Sequence, residues 1–446
     1  GVTRMGLSKR RRGIAAVAIA AVAVLATASA CNSDSSGSTA SQSQIKLTVD
    51  VFGDQGFGYE ALYERYMQLH KNIKIEERGK GFNLGDYNTR LTKWISDGSG
   101  AGDVVALEEG TLLQYKAQAA QFVNLFDFGA GTLEPNFLQW KWRQGMTADG
   151  KQLIGLGTDI GSLAICYRKD LFERAHLPSD RDTVSQVLWP DWQAFINTGK
   201  QFNTGLKNPN VKFVDASTNF FGVVLMQLAS QNTGYMYFDT NNKLVIDSNP
   251  DVKAAWQFTV DMINSGLSAN LRAFSDGWNN GFKQAQFATV ACPAWMTGVI
   301  KAQAGDSAAG KWDVAKAPGN GGNWGGSFLA VPKQSRHAKE AVELAKFLTG
   351  AEGQIDAFAK LGNLPSNPRA LQDPAIVNFK NEYFSNAPTG EIFAAGGTSL
   401  KPVYMGPKTQ QIRDEVDNAL RSIEQRQRTP DQAWQDAVKN GTNAAK

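Results

Sequence analysis

IKLTVDVFGDQGFGYEALYERYMQLHKNIKIEER, Ile45 to Arg78, decides the fold class of this chain. Ile45, Leu47, Val49 and Val51 alternate as the inward side chains of a strand do, because successive residues of an extended chain face opposite ways. Tyr59, Leu62, Tyr63, Tyr66 and Leu69 recur at helical steps and share one face. IKIEER then returns to a strand, DYNTRLTKWISDG (Asp86–Gly98) adds a helix, and DVVALEEG (Asp103–Gly110) adds a third strand. Strand, helix, strand, helix, strand is the α/β order, with a mainly parallel sheet. Ligands of such sheets bind beyond the carboxyl ends of the strands, here FGDQGFG and EEGT.

Later segments keep the pattern. Asn249 is the expected cap and Pro250 the first-turn residue of a helix whose inner face is Val252, Ala255, Trp256 and Ile263, stopped by Gly266. Ala338, Ala341, Val342, Ala345 and Leu348 form another inner face, ended by Gly350. A chain of 446 residues is too long for one ordinary core. No repeat and no low-complexity linker divides it, so the chain is expected to cross between two bodies more than once.

The amino-terminal stretch SKRRRGIAAVAIAAVAVLATASAC (Ser8–Cys31) has a basic start, an apolar run from Ile14 to Ala26 and small residues before a cysteine. The run is too short for a comfortable membrane span and reads as an export signal. Ala28-Ser29-Ala30-Cys31 resembles a lipobox, with Ala28 where Leu is more usual. This makes Cys31 the expected lipidation site, residues 1–30 the signal peptide and residues 31–43 a Ser-rich tether. An ordinary secretory signal and a twin-arginine signal are the alternatives. Arg4, Lys9, Arg10, Arg11 and Arg12 all precede Cys31, where no acidic residue stands; without them 41 basic residues face 42 acidic ones, a net of −1. Such a chain offers no basic field for nucleic acid. Cys166 and Cys292 either pair in an oxidising compartment or stay as separate buried thiols.

Catalytic signatures are missing from the sequence: there is no P-loop, no G-x-G-x-x-G after a strand, no H-E-x-x-H, no C-x-x-C and no G-x-S-x-G. His70, His176 and His337 lie on or beside three different charged helices, which leaves neither a metal site nor a triad. No cofactor is expected. Loop carboxylates leave a glycosidase as one alternative.

GLGTDIGSLAICYRKDLFERAHLP (Gly155–Pro178) resembles the crossing segment of the family 1 extracellular solute-binding proteins, the maltose-binding-protein-like sugar receptors of ABC importers. Asp159, Tyr167, Arg168, Lys169, Asp170, Leu171 and Phe172 keep the family's order. Gly157 stands where Pro is common, and His176 where Gly is common. WPDWQAF, FLAVPKQSRHAKEAVELAKFLTGAEGQ and LPSNPRA continue the resemblance over nearly the whole chain after the tether. TVACPAWMTGVIKA and GGNWGGSFLAVPK are similar to Gram-positive receptors for cello-oligosaccharides. The resemblance implies a two-lobed periplasmic-binding-protein-like α/β fold of type II, with a sugar held between lobes joined by a hinge. Lobe 1 is expected at 44–157 plus 291–349 and lobe 2 at 158–290 plus 350–446.

In that frame the tryptophans gain a purpose. A pyranose has apolar C–H faces and a rim of hydroxyls, so its site needs aromatic platforms and polar groups aimed at the rim. Trp324, in a run of glycines, Trp278 in FSDGWNNG and Trp295 in ACPAWMTG are the expected platforms; each could instead fill a core or brace a loop. Asp54, Gln55, Glu109, Asp159, Asp276 and Asn279 are the expected hydroxyl partners, with Glu108 and Arg369 left out. The resemblance also implies a monomeric receptor, lipid-anchored outside the cell membrane, that closes on an oligosaccharide and docks on a two-subunit permease with a separate ATPase. A same-fold receptor for another solute, such as a peptide or polyamine, is the runner-up.

Overall fold

The computed structural model describes residues 43–446; the expected signal peptide, Cys31 and the tether up to residue 42 lie outside them. β1 (Ile45–Asp50), β2 (Ile73–Arg78) and β3 (Val104–Glu108) form where the alternation places them, with helices α1 (Glu60–Leu69) and α2 (Leu84–Asp97) between. Leu62, Tyr63 and Tyr66 of α1 are buried, whereas Leu69, at its carboxyl end, is exposed. The Asn83 side chain caps α2 by accepting from the Asp86 N–H at 2.8 Å, and Gly98 ends it at φ 71°. The later helix, Pro250–Asn264, starts at the Asn249 cap, and Gly266 follows it at φ 71°. Gly350 is not a left-handed stop; it joins Ala338–Thr349 directly to a second helix, Ala351–Leu361.

The architecture turns on the 14-residue strand β4, Gly155–Arg168. Its first residues pair with β8 (Asn323–Ala330), which also pairs with β3. Its second half pairs with β6 (Phe287–Pro293) and β7 (Trp312–Lys316), and β6 continues to β5 (Lys212–Val214). The short β9, Leu364–Pro365, lies against Asp159 and Ile160. Among the strands named, β1–β2, β1–β3 and β5–β6 pair in parallel and every ladder through β4 or β8 is antiparallel, so the sheet is mixed.

Burial follows this division. Leu47, Val49, Leu107, Leu156, Phe328 and Leu348 belong to one core. Two further cores cover opposite faces of the second half of β4, one around Tyr167, Phe172 and Trp189 and the other around Cys166, Phe282 and Trp312. Cys292, Met296, Ile300, Trp312 and Val314 lie in the last of these. The crossing expected at Ala291 therefore differs from the pairing: Ala291–Lys316 packs with the second half, and the return passage is β8. The reason is that β6 and β7 both need β4 as a hydrogen-bonding partner, and β4 has already crossed.

Cys166 and Cys292 are joined in a disulfide, with Cα atoms 5.4 Å apart on neighbouring strands. His176 adopts φ 63°, which explains why glycine is usual at that place. At Gly157 a side chain would meet Lys141 Cγ at 2.8 Å and Ser366 Oγ at 3.0 Å, so a proline has no room there. Gln354 is buried beside it. Its Nε2 donates to the carbonyls of Gly157 and Thr349, at 3.2 and 2.9 Å, while its Oε1 accepts from the N–H groups of Ser366 and Asn367, at 2.7 and 3.1 Å.

Gln354→Leu keeps the volume and strands these buried backbone groups, so it should lower stability by about 1–3 kcal/mol in urea unfolding. Replacing both cysteines by alanine opens a crosslink that closes a separation of 126 residues. The expected loss is about 2–5 kcal/mol, read by comparing unfolding with and without reductant.

Candidate functional site

Between the two halves lies a cleft of about 350 Å³, of the size that small-molecule sites have. The first half contributes Phe52, Asp54 and Gln55 after β1, Phe82 and Asn83 before α2, and Glu108 at the end of β3. These are carboxyl ends of parallel strands and the loops that follow them, as the α/β order implies. The second half contributes Phe274, Asp276, Asn279, Trp295, Gln303 and Trp324. Asp159, on the crossing strand, lies between them.

Trp324 belongs to β8 rather than to a loop, but its strand is irregular. Gly325 and Gly326 take φ 80° and 110°, and the register against β4 shifts on either side of Ile160. Gly161 has no space for a side chain, because the Trp324 carbonyl would lie 2.0 Å from its Cβ. The glycines thus set the backbone so that the half-buried indole reaches the cleft. Trp295 stands edge-to-face against it, with ring centroids 5.4 Å apart, and Trp295 Nε1 donates to the Trp324 carbonyl at 2.8 Å.

Trp278 is a correction. It begins no loop; it lies in the helix Asp276–Lys283, is 0% exposed, and donates from Nε1 to Asp215 Oδ2 at 2.9 Å. Asn219 Nδ2 donates to the same oxygen at 2.6 Å, and burial pushes the Asp215 carboxyl up to about 6. Trp278 is a core residue anchored by a buried acid. Its helix nevertheless delivers Asp276 and Asn279 to the cleft.

Glu109 is also reassigned. Its oxygens accept from Asn323 Nδ2 at 3.1 and 3.0 Å and from Gln144 Nε2 at 3.1 Å, behind the cleft wall. Glu108 is the carboxylate that lines the cleft, so the residue passed over is the one of the pair that faces it. Adjacent positions at a strand end point to opposite sides, but Val104 to Leu107 are all buried, so no alternation along β3 tells which of the two glutamates turns to the cleft.

Behind both acids sits Lys141, 1% exposed, from the helix Gln139–Gln144. Its Nζ lies 4.0 Å from the centre of the Phe328 ring and has no hydrogen-bond partner among the described residues. Burial pushes this lysine down, while Glu109, Asp159 and Glu108 favour its charge. Asp159 and Glu109 are raised by burial and held back by Lys141. Burial, reinforced by Glu109, lifts Glu108 to about 7, against the opposing charge of Arg413 on the helix Thr409–Glu424. Two contacts reach across the cleft: Gln303 Nε2 donates to Asp54 Oδ2 at 3.1 Å, and Arg413 approaches the Glu108–Gly110 turn. Among the described residues no cluster of His, Cys, Asp and Glu is arranged to hold a metal.

The profile of the bacterial extracellular solute-binding proteins matches residues 61–382. The chain belongs to that family. A crystal structure of a family 1 extracellular solute-binding protein superposes with a TM-score of 0.78 at 38% identity, covering 90% of this chain and 100% of that one. An ABC-transporter-associated binding protein of B. animalis subsp. lactis Bl-04, solved with β-1,6-galactobiose, superposes with a TM-score of 0.75 at 22% identity over 89% and 98% of the two chains. An arabinooligosaccharide-binding protein of Bacillus subtilis (strain 168) is 24% identical over 401 residues, 84% of this chain and 86% of that protein. The family is one of extracellular solute-binding proteins, and the relatives are named as binding proteins. The solute-binding protein is therefore a receptor rather than an enzyme.

The sign of the Glu108 shift makes a prediction. A carboxyl raised from 4.5 to about 7 stabilises the fold fully only below its unfolded value, and that stabilisation is lost as pH rises toward 7. Glu108→Gln removes the titration, so wild type should lose about 1–3 kcal/mol relative to the variant between pH 4.5 and 8. Parallel melting curves across that range check it.

Proposed function

We propose that the cleft captures a short oligosaccharide and hands it to an ABC permease. The observation that carries this reading is the pairing of Trp324 and Trp295 on one wall with Asp54, Glu108, Asp159 and Asp276 around them. Ring faces match the C–H faces of a sugar, and carboxyl groups meet its hydroxyls as acceptors when ionised and as donors too when protonated. Gln55 and Asn279 supply donors as well as acceptors. Relatives named for arabinooligosaccharide and β-1,6-galactobiose binding support a sugar over a peptide or polyamine. The finer reading is a β-linked di- or trisaccharide such as cellobiose or cellotriose, supported by the segments around Trp295 and Trp324.

The mechanism is closure. Groups from both halves can grip one ligand only when the halves approach, so ligand shifts the population toward the closed form. The closed receptor docks on a two-subunit permease whose ATPase is a separate protein. Lipidation at Cys31 keeps the monomeric receptor at the outer face of the membrane, the residues before it serving as the export signal.

Calorimetric titration with cellobiose, cellotriose, xylobiose, arabinotriose, β-1,6-galactobiose and maltotriose tests the reading. One of these should bind without being broken down, and the cello-oligosaccharides should bind most tightly. Silence across the panel overturns the sugar reading. Trp324→Ala should weaken the bound sugar about three- to tenfold while the protein stays folded.

A further inference from the structure

Phe274 breaks two local rules at once. Its backbone is left-handed, φ 68°, and its ring is 44% exposed, one of few large apolar side chains so exposed among the described residues. The Ser275 N–H bonds back to the Arg272 carbonyl at 3.2 Å, which makes Phe274 the third residue of a four-residue turn. A left-handed third position ordinarily takes Gly or Asn, because a larger side chain crowds the backbone there. A bulky residue held in that conformation and left in water points to use rather than to packing.

What the ring faces indicates the use. It lines the cleft. It lies 5.1 Å from the Trp278 ring, which Asp215 fixes from below, and it runs nearly parallel to Trp295, with an interplanar angle of 23° and centroids 6.0 Å apart. The Ser275 Oγ locks the turn by donating to the Arg272 carbonyl at 2.7 Å and accepting from the Trp278 N–H at 3.2 Å. Trp324, Trp295 and Phe274 thus form a stepped series of rings along one wall, with Phe274 as the last step.

We infer that Phe274 sets the length of ligand the cleft prefers, by taking the sugar unit beyond those that lie on Trp324 and Trp295. This rests on the oligosaccharide reading above. A disaccharide fills the two tryptophan steps and leaves Phe274 untouched; a third unit stacks on Phe274. The turn holds the ring at a fixed height, so the ligand does not have to order it, and little conformational entropy is lost on contact.

The test is calorimetric titration of wild type, Phe274→Gly and Phe274→Tyr with two pairs of sugars, cellobiose with cellotriose and arabinobiose with arabinotriose. Within the series that wild type binds, the trisaccharide should bind more tightly than the disaccharide. Phe274→Gly should weaken the trisaccharide about three- to tenfold and leave the disaccharide within about twofold. Phe274→Tyr, which keeps the ring, should retain the trisaccharide affinity. The melting temperature of ligand-free Phe274→Gly should be unchanged or higher, since glycine relaxes the turn. Equal losses for both lengths, no loss for either, or a lower melting temperature would show a loop brace and overturn the inference alone. Wild type that binds none of the four sugars while binding another sugar of the earlier panel also overturns the inference alone. Wild type silent to every sugar in both sets overturns the oligosaccharide reading and this inference with it.

Discussion

Gln354 carries the junction on which the site depends. Where β4 and the segment ending in β9 pass between the halves, backbone groups must be buried outside any regular ladder, and an unpaired buried amide or carbonyl is costly. One side-chain amide satisfies four of them, from Gly157, Thr349, Ser366 and Asn367. Ser366 Oγ adds a bond to the Thr158 carbonyl at 3.0 Å. Asp159 follows at once, so the acid that lies between the halves is placed by this polar knot. The knot leaves β8 free to bend at its glycines, and that bend brings Trp324 to the cleft.

The two walls differ in chemistry. The series of rings, Trp324, Trp295 and Phe274, comes from the second half, while Asp54 and Glu108 come from the first, with Lys141 buried behind Glu108. Lys141 is buried, and where it carries its proton it opposes the rise that burial imposes on Glu108, Glu109 and Asp159. A neutral residue there would leave Asp159 without a facing cation and Glu108 and Glu109 with Arg413 alone.

Much of this was legible in the chain. The strand and helix periodicities from Ile45 to Glu108 depend on neighbours a few residues apart, and they match the elements found. Trp324 was singled out because glycines on both sides leave an indole without a local core, and Trp295 by similar surroundings. Trp278 looked the same, yet its partner Asp215 lies 63 residues away and no local pattern announces the bond. Glu108 and Glu109 are adjacent, and only the turn after β3 decides which one faces the cleft. Lys141 and Gln354 look like ordinary helix residues; burial that comes from strands far along the chain gives them their roles. Phe274 left no signal in composition, because a left-handed backbone at a phenylalanine is invisible until the turn is seen. β6 resembles any other strand until its partner is known, so the chain alone does not tell on which side of a crossing Ala291 falls.

That last point bears on the disulfide. Since β6 stays on the same side as the second half of β4, the Cys166–Cys292 bond joins neighbours within one body and spans no joint. Oxidation stiffens that body without bolting the two bodies together. The bond therefore hardens that body against the conditions outside a cell without restraining the closure proposed for the cleft.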